Sequence, residues 1–378
     1  MHYPPAAGGW NVTSEATGKA TDFQVHEEMP FNGGPPVTTL ADRYLTPVAL
    51  LFVRGHGPVP RVDRASFRLR VEGAVARPLA LSLDELAAGF ERVEVTAALQ
   101  CAGLRRDELM AEADIPGELP WGGDAIGNAR WGGVRLTDVL AAAGAEGGGP
   151  GAHVGFRGLD EVPRPDGAIP FGASIPAAKA GSPEVILADR LGGEPLPALH
   201  GGPLRALVPG YIGARSVKWL AEIRVQAEPS ANHFQRVAYR LTPGRPGDPP
   251  PAEPGPMLGD LYLNSAITDP LPGNRLAPGP VRVRGWAVAG GGACVERVEL
   301  SADGGATWRP CRFLDPADPW AWRRWEAEVE LPAGDAMLTV RAFDDAGAGQ
   351  PADRGRVWNR KGYMNNAWHR VPVRVGGG

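Results

Sequence analysis

The segment Pro243–Pro256, reading PGRPGDPPPAEPGP, constrains this chain more than any other. Proline fixes φ and carries no amide donor, so such a run can neither enter a sheet nor continue a helix, and it reads as an extended spacer. The chain has 378 residues, too many for one ordinary hydrophobic core, and the spacer divides them into parts of different hydrophobic rhythm. Before it, helix and strand signals mix. Phe67, Leu69 and Val71 alternate with Arg68 and Arg70, as a half-buried strand requires. Ser82 and Glu85 have capping-box spacing, with Leu81 and Leu86 placed for the accompanying staple, and a short helix from Leu136 should stop at Gly144. After the spacer only strands and turns are read: Val281 to Arg284, Val295 to Ser301, a turn at Asp303 to Gly305 with a return strand through Trp308, and alternation in 325–331 and 338–342. The expected class is α+β: a mixed α+β domain over 1–242, a Pro-rich linker over 243–258 and an immunoglobulin-like β-sandwich over 259–378.

Charge and composition narrow the function classes. A net charge of −4 gives no global basic field for nucleic acid or an anionic membrane, and no apolar run is long enough to span a bilayer. The 52 glycines and 39 prolines would hint at disorder, but 11 tryptophans argue for ordered loops packed on real cores. Cys101, Cys294 and Cys311 are too few for a disulfide scaffold, and no C-x-x-C pair is present. Met1 to Gly33 shows neither an export signal nor a twin-Arg pair, so cytoplasmic residence is expected, with the periplasm the alternative if the chain is a processed form. The Gly-rich stretch Gly144 to Gly151 lacks the surroundings of a phosphate loop.

The chemistry is concentrated in loops. In Leu99-Gln100-Cys101-Ala102-Gly103-Leu104-Arg105-Arg106 a lone thiol sits beside two guanidinium groups, and a cation favours the thiolate that binds metal. Leu51 to Pro60 packs Arg54 and His56 into a Gly/Pro-stiffened loop. His200 to Arg205 followed by Val208 to Leu220 supplies Arg, Lys, hydroxyl and exposed glycine amides together, the donors that a phosphate requires.

The octet at Cys101 resembles the molybdenum-ligating loop of the sulfite oxidase family, with Leu104 where that loop usually carries Asn. Other blocks similar to the family follow in its order from about Pro30 to Val375. The resemblance implies a sulfite oxidase-like molybdopterin-binding domain followed by a sandwich that mediates homodimerisation. It assigns Cys101 as the metal ligand. Phe52, Val53, Arg54, Gly55 and His56 would contact the pterin, with Asp160 in Gly158-Leu159-Asp160 and with His200, Arg205, Ser216, Val217 and Lys218, while Arg215 would be structural. Trp121, 20 residues after Cys101, corresponds to a Trp that lines the substrate pocket. Tyr239 corresponds to the family's active-site Tyr, where nitrate reductases typically carry Asn.

The block Trp358-Asn359-Arg360-Lys361-Gly362 resembles Trp-Asn-Leu-Arg-Gly, so Lys361 stands for the substrate-binding Arg. A Lys keeps the charge but lacks the planar fork. The implied activity is oxidation of sulfite to sulfate, with Arg54, Arg106 and Lys361 neutralising the anion around Tyr239 and Trp121. Nitrate reduction or sulfoxide reduction are the enzyme rivals, and a non-catalytic binding protein is the rival of another class. No b5-type haem domain, haem-c motif or flavin fingerprint is visible, so the expected electron acceptor is external, a cytochrome first and oxygen second. For Lys361 to join Arg54, Arg106 and Tyr239, the chain beyond the spacer must fold back over the cofactor domain.

Overall fold

The computed structural model describes residues 17–145, 149, 151–244, 247–249 and 251–376. The first half of the Met1 to Gly33 segment and parts of the Gly-rich and Pro-rich stretches therefore lie outside the described residues.

Two five-stranded sheets lie ahead of the Pro-rich segment, besides the two-stranded pair of Gln24–Glu27 and Asn32–Gly34. In one, Arg92–Gln100 pairs antiparallel with Ile126–Arg135, which pairs in turn with Ile186–Leu191. In the other, the order is Leu79–Leu81, Leu69–Gly73, Leu220–Gln226, His153–Val162, Ile169–Pro176, with one parallel pairing between Leu69–Gly73 and Leu220–Gln226. Leu69 and Val71 face inward as their spacing predicts. Helix Leu83–Gly89 starts at the expected capping box, in which Ser82 and Glu85 satisfy each other's amides. Helix Leu136–Ala142 ends before Gly144, which adopts φ +65°.

Beyond the Pro-rich segment two sheets face one another. Asn264–Asp269, Gly279–Val288, Arg323–Leu331 and Arg312–Phe313 form the first, and the second is built on Val295–Ser301, Gly334–Asp344 and His369–Val375. Val283, Val298, Leu300, Val329, Leu338, Val340 and Val371 fill the layer between them. The return strand after the Asp303 turn begins at Arg309, so Trp308 is left outside it, held edge-on to Trp368 with Arg341 over its face. Cys294 and Cys311 are free and only half-buried; the amide of Cys311 bonds Val298 whereas the carbonyl of Cys294 bonds Asp345, so they do not face across the hairpin.

The Pro-rich segment differs from an extended spacer. Leu241 N–H donates to Pro256 O and Leu258 N–H to Tyr239 O, so the chain leaves and re-enters along a two-sided antiparallel seam. The segment is thus pinned at both of its ends. Hence the larger core does not stop there: Leu258, Leu261, Trp286, Trp322, Tyr363 and Met364 belong to the same apolar cluster as Leu99, Trp121 and Phe234.

Arg105 clamps the two halves. It is 1 % exposed at φ 60°; its Nε and Nη2 donate to Glu108 at 2.5 and 2.9 Å, Nη1 to Asn264 Oδ1 at 2.7 Å, and Nη2 to Ala367 O at 2.9 Å. Burial opposes the charge on Glu108, yet Arg105, with His369 and Arg354 behind it, outweighs burial and holds the carboxyl at about 2. Arg105→Met should cost on the order of 3–5 kcal/mol in urea unfolding, because it leaves Glu108 buried without its partner. Since the folded pKa of Glu108 lies below its unfolded value of 4.5, its charge stabilises the fold fully above that pH, and the contribution is lost as pH falls towards 2. Unfolding midpoints of Arg105→Met should therefore drop less than those of the parent across this window.

Candidate active site

Cys101 follows the last residue of strand Arg92–Gln100, and its position is fixed by main-chain bonds on both sides. Its N–H donates to Ala125 O, and its carbonyl accepts from Leu104. Among the described residues, the Sγ receives the Gly103 N–H alone, at 3.4 Å. Leu104, where a polar Asn was the expected pattern, is buried in the core and asks for no partner. A Cβ on Gly103 would lie 2.5 Å from the Arg106 guanidinium, and one on Gly362, at φ +56°, would lie 2.6 Å from Arg106 Cγ. Glycine at both positions lets Arg106 lie against the thiol loop. Arg105, the neighbouring cation, turns away from the thiol to the interdomain clamp, so the two guanidinium groups have separate roles.

Behind Cys101 lies a deep recess of about 660 Å³. Twelve of the residues singled out from the sequence line it: Phe52, Val53, Arg54, His56, Cys101, Asp160, His200, Arg205, Ser216, Val217, Lys218 and Tyr239. Arg205 Nη1 and Nη2 donate to His200 O and Ser216 O at 2.8 and 2.7 Å, and its guanidinium lies over Trp131. Lys218 lies 4.2 Å from the Trp219 ring centroid. Burial lowers Arg205 to about 9, and burial with the charge of Arg205 lowers Lys218. Asp160 is the one carboxylate lining the recess among the described residues; burial raises it against the pull of Lys218. Arg215 instead anchors Leu258 O and Phe234 O, as a structural residue does.

Two expected residues stand elsewhere. Gly55 does not line the recess: its N–H donates to Asn32 Oδ1 at 2.8 Å, which also accepts from Arg54 Nη1 at 3.1 Å, so Gly55 and Asn32 together set the course of the Arg54 loop. Trp121 lines neither cavity. It is fully buried, edge-on to Phe52 and His26, because the apolar indole packs into the core behind Phe52 and leaves Phe52 to face the recess.

A second, open cavity of about 1630 Å³ meets the recess. Arg54, His56, Cys101 and Tyr239 line both. Tyr239 Oη and His56 Nε2 are 2.7 Å apart, and Phe171 and Phe234 flank the imidazole. Burial, then the charges of Arg54 and its neighbours, push His56 well below the ordinary imidazole range, while burial pushes the Tyr239 phenol upward. Both are therefore neutral at working pH. The segment between the sandwich strands Gly334–Asp344 and His369–Val375 does return here: Met364 N–H donates to Ala102 O, Lys361 O accepts from Arg106 Nε, and Lys361 itself lines the open cavity.

Three residues were not legible in the sequence. Tyr363 stacks on Tyr239 at 5.4 Å beneath the Arg106 guanidinium. Lys19 Nζ donates to Val48 O and Leu51 O and lies 2.8 Å from His200 Nε2. Glu118 bridges Lys361 and Arg106. Arg105, Trp219, Tyr239 and Met364 are the described non-glycine residues at positive φ, and all four adjoin this site; such strain is a recurrent property of functional centres.

Residues 56–234 match the model of the oxidoreductase molybdopterin binding domain, and residues 256–376 match that of the Mo-co oxidoreductase dimerisation domain. The chain is similar to mitochondrial sulfite oxidase of Homo sapiens, 43% identical over 364 residues that cover 93% of this chain and 66% of that protein. It is also similar to sulfite oxidase of Gallus gallus, 44% identical over 357 residues, covering 92% and 77% respectively. The crystal structure of the sulfane dehydrogenase SoxCD from Paracoccus pantotrophus superposes with a TM-score of 0.79 at 26% identity, covering 99% of this chain and 93% of that one. The chain belongs to the sulfite oxidase family of molybdenum-pterin oxidoreductases.

The recess fits the family's cofactor on its own chemistry. A soft thiol with one long contact stands at the rim, and buried cations with a single facing carboxylate stand behind it, where a phosphate would relieve their desolvation. Lys218→Ala should lower pterin and molybdenum content of the purified protein about tenfold or more, with circular dichroism unchanged, since the lost charge faces the ligand. Full occupancy in that variant would remove Lys218 from the cofactor site.

Proposed function

We propose that this chain oxidises sulfite to sulfate with a molybdenum-pterin held in the recess and passes the electrons to an external acceptor. The observation that carries this reading is that Cys101, Arg54, His56 and Tyr239 line both cavities, so a cofactor in the recess and a small anion in the open cavity would meet at these four side chains. When bound, the cofactor supplies the two-electron couple and the oxygen transfer. Cys101 would hold the metal as thiolate, while Arg205, Lys218, Ser216 and His200 would hold the pterin and its phosphate.

The chain's own part of the reaction is to collect and orient the anion. Arg54 makes no ion pair with a described carboxylate, so its guanidinium can take an oxyanion directly. The neutral phenol of Tyr239 and the neutral imidazole of His56 are joined by one hydrogen bond between Oη and Nε2, which holds the phenol oxygen in place. Phe171 and Phe234 pack against the imidazole of this pair. Retention of Tyr239, where nitrate reductases typically carry Asn, and of a cation at Lys361 favours sulfite over nitrate within the superfamily.

The organisation proposed with this activity is a cofactor domain over 1–242, a linking segment over 243–258 and a sandwich over 259–378 that forms a homodimer; the match of 256–376 to a dimerisation domain supports the last element. A separate cytochrome is the proposed acceptor, with oxygen second, and cytoplasmic residence is supported by three free thiols.

In steady-state assays with sulfite, Cys101→Ser should lose at least about 100-fold in kcat/KM, a hydroxyl being a poor substitute for a soft ligand, and Cys294→Ser should match the parent. Equal rates for Cys101→Ser and the parent would refute the metal-ligand role. Tyr239→Phe should lower kcat by about 10- to 100-fold through loss of one aimed donor. Light scattering should give twice the 39.9 kDa of one chain.

A further inference from the structure

Two of the three cations expected to receive the substrate already hold an anion of the protein's own. Glu118 Oε1 lies 2.9 Å from Lys361 Nζ, and Oε2 lies 3.3 Å from Arg106 Nη2. The carboxylate is presented by a turn at Gly117, φ +79°, and lines the same open cavity as Cys101 and Tyr239.

The two pairings differ in kind. Arg106 is 3 % exposed and further tied to Leu119 O at 2.8 Å and Lys361 O at 2.9 Å, so it cannot leave Glu118 without disturbing the thiol loop. The Lys361 side chain is 49 % exposed against 15 % for Glu118, and an exposed pair of this sort is weak and readily exchanged. The other carboxylate lining the cavity, Glu27, accepts from Asn32 Nδ2 at 2.7 Å and pairs with none of the described cations.

From this asymmetry we infer that Glu118 tunes the anion affinity of the site: it is a resident counter-anion that competes with substrate and product oxyanions for Lys361. The inference rests on reading the open cavity as the oxyanion site. Unopposed cations around this cavity, where Arg164 stands with Arg54, Arg106 and Lys361, would hold a doubly charged product as firmly as the substrate. With Glu118 in place, Lys361 swings to an incoming oxyanion and returns to the carboxylate as the product leaves. Glu118 thus weakens anion binding in exchange for faster release, a step that often limits turnover.

The test is calorimetric titration of the oxidised holoenzyme with sulfate at low ionic strength. Glu118→Gln, which keeps size and polarity, should bind sulfate about tenfold more tightly than the parent, and its KM for sulfite should fall together with kcat. Glu118→Asp, with a shorter reach, should fall between and stands in if Glu118→Gln melts early. Glu27→Gln removes the same charge from the cavity without touching Lys361 and should change sulfate affinity less than twofold. Unchanged or weaker sulfate binding in Glu118→Gln, or an equal gain in Glu27→Gln, would overturn the role given to Glu118. Absence of sulfate binding in the parent and every variant would instead overturn the reading of the cavity as an oxyanion site.

Discussion

Buried positive charge with too little negative charge facing it is the constraint on which the rest of this structure depends. Arg54, Arg205 and Lys218 line one recess, Lys19 stands behind the imidazole of His200, which burial keeps uncharged, and Asp160 is the one carboxylate lining the recess among the described residues. Desolvation of this kind is tolerated only with compensation. The chain offers main-chain carbonyls to Arg205 and Lys19, and the faces of Trp131 and Trp219 to Arg205 and Lys218. What these neutral partners leave uncompensated is a standing affinity for a polyanion. The fold of the first two sheets serves to hold this arrangement with a thiol at its rim.

The two arginines after Cys101 show how one short run of sequence couples site and architecture. Arg105 points away from the metal loop and ties it to the sandwich through Asn264 and Ala367, while Arg106 lies against the loop and is tied to the carbonyl of Lys361. Both therefore make the position of Cys101 depend on residues beyond the Pro-rich segment. That dependence explains why the larger core runs through both halves, and why Tyr363 can stack on Tyr239 at the junction of the cavities.

What the sequence revealed follows from how each contact is built. The capping box at Ser82, the alternation in Leu69–Gly73 and the strand Val295–Ser301 are local, and they are read directly. The recess residues from His200 to Lys218 were legible for a related reason: their donors sit in one loop system, so the motif carries the site. Glu118 and Lys19 were not, since their partners lie 243 and 181 residues away and nothing in a lone Glu or Lys announces them. Trp121 was misplaced because spacing from Cys101 does not say which face of the loop an indole takes; its large apolar surface went to the core, and Phe52 took the face towards the recess. The segment Pro243–Pro256 looked like a spacer because prolines report local stiffness, whereas the seam between Arg240 and Met257 is a tertiary contact.

The central claim is that Cys101 presents its thiolate to a metal held in this recess. X-ray absorption at the molybdenum edge of the holoenzyme tests it without reference to substrate or acceptor. The account predicts that Cys101→Ser loses one sulfur scatterer from the metal's shell while Cys294→Ser and Cys311→Ser leave the shell unchanged. An identical sulfur count in Cys101→Ser and the parent would contradict it.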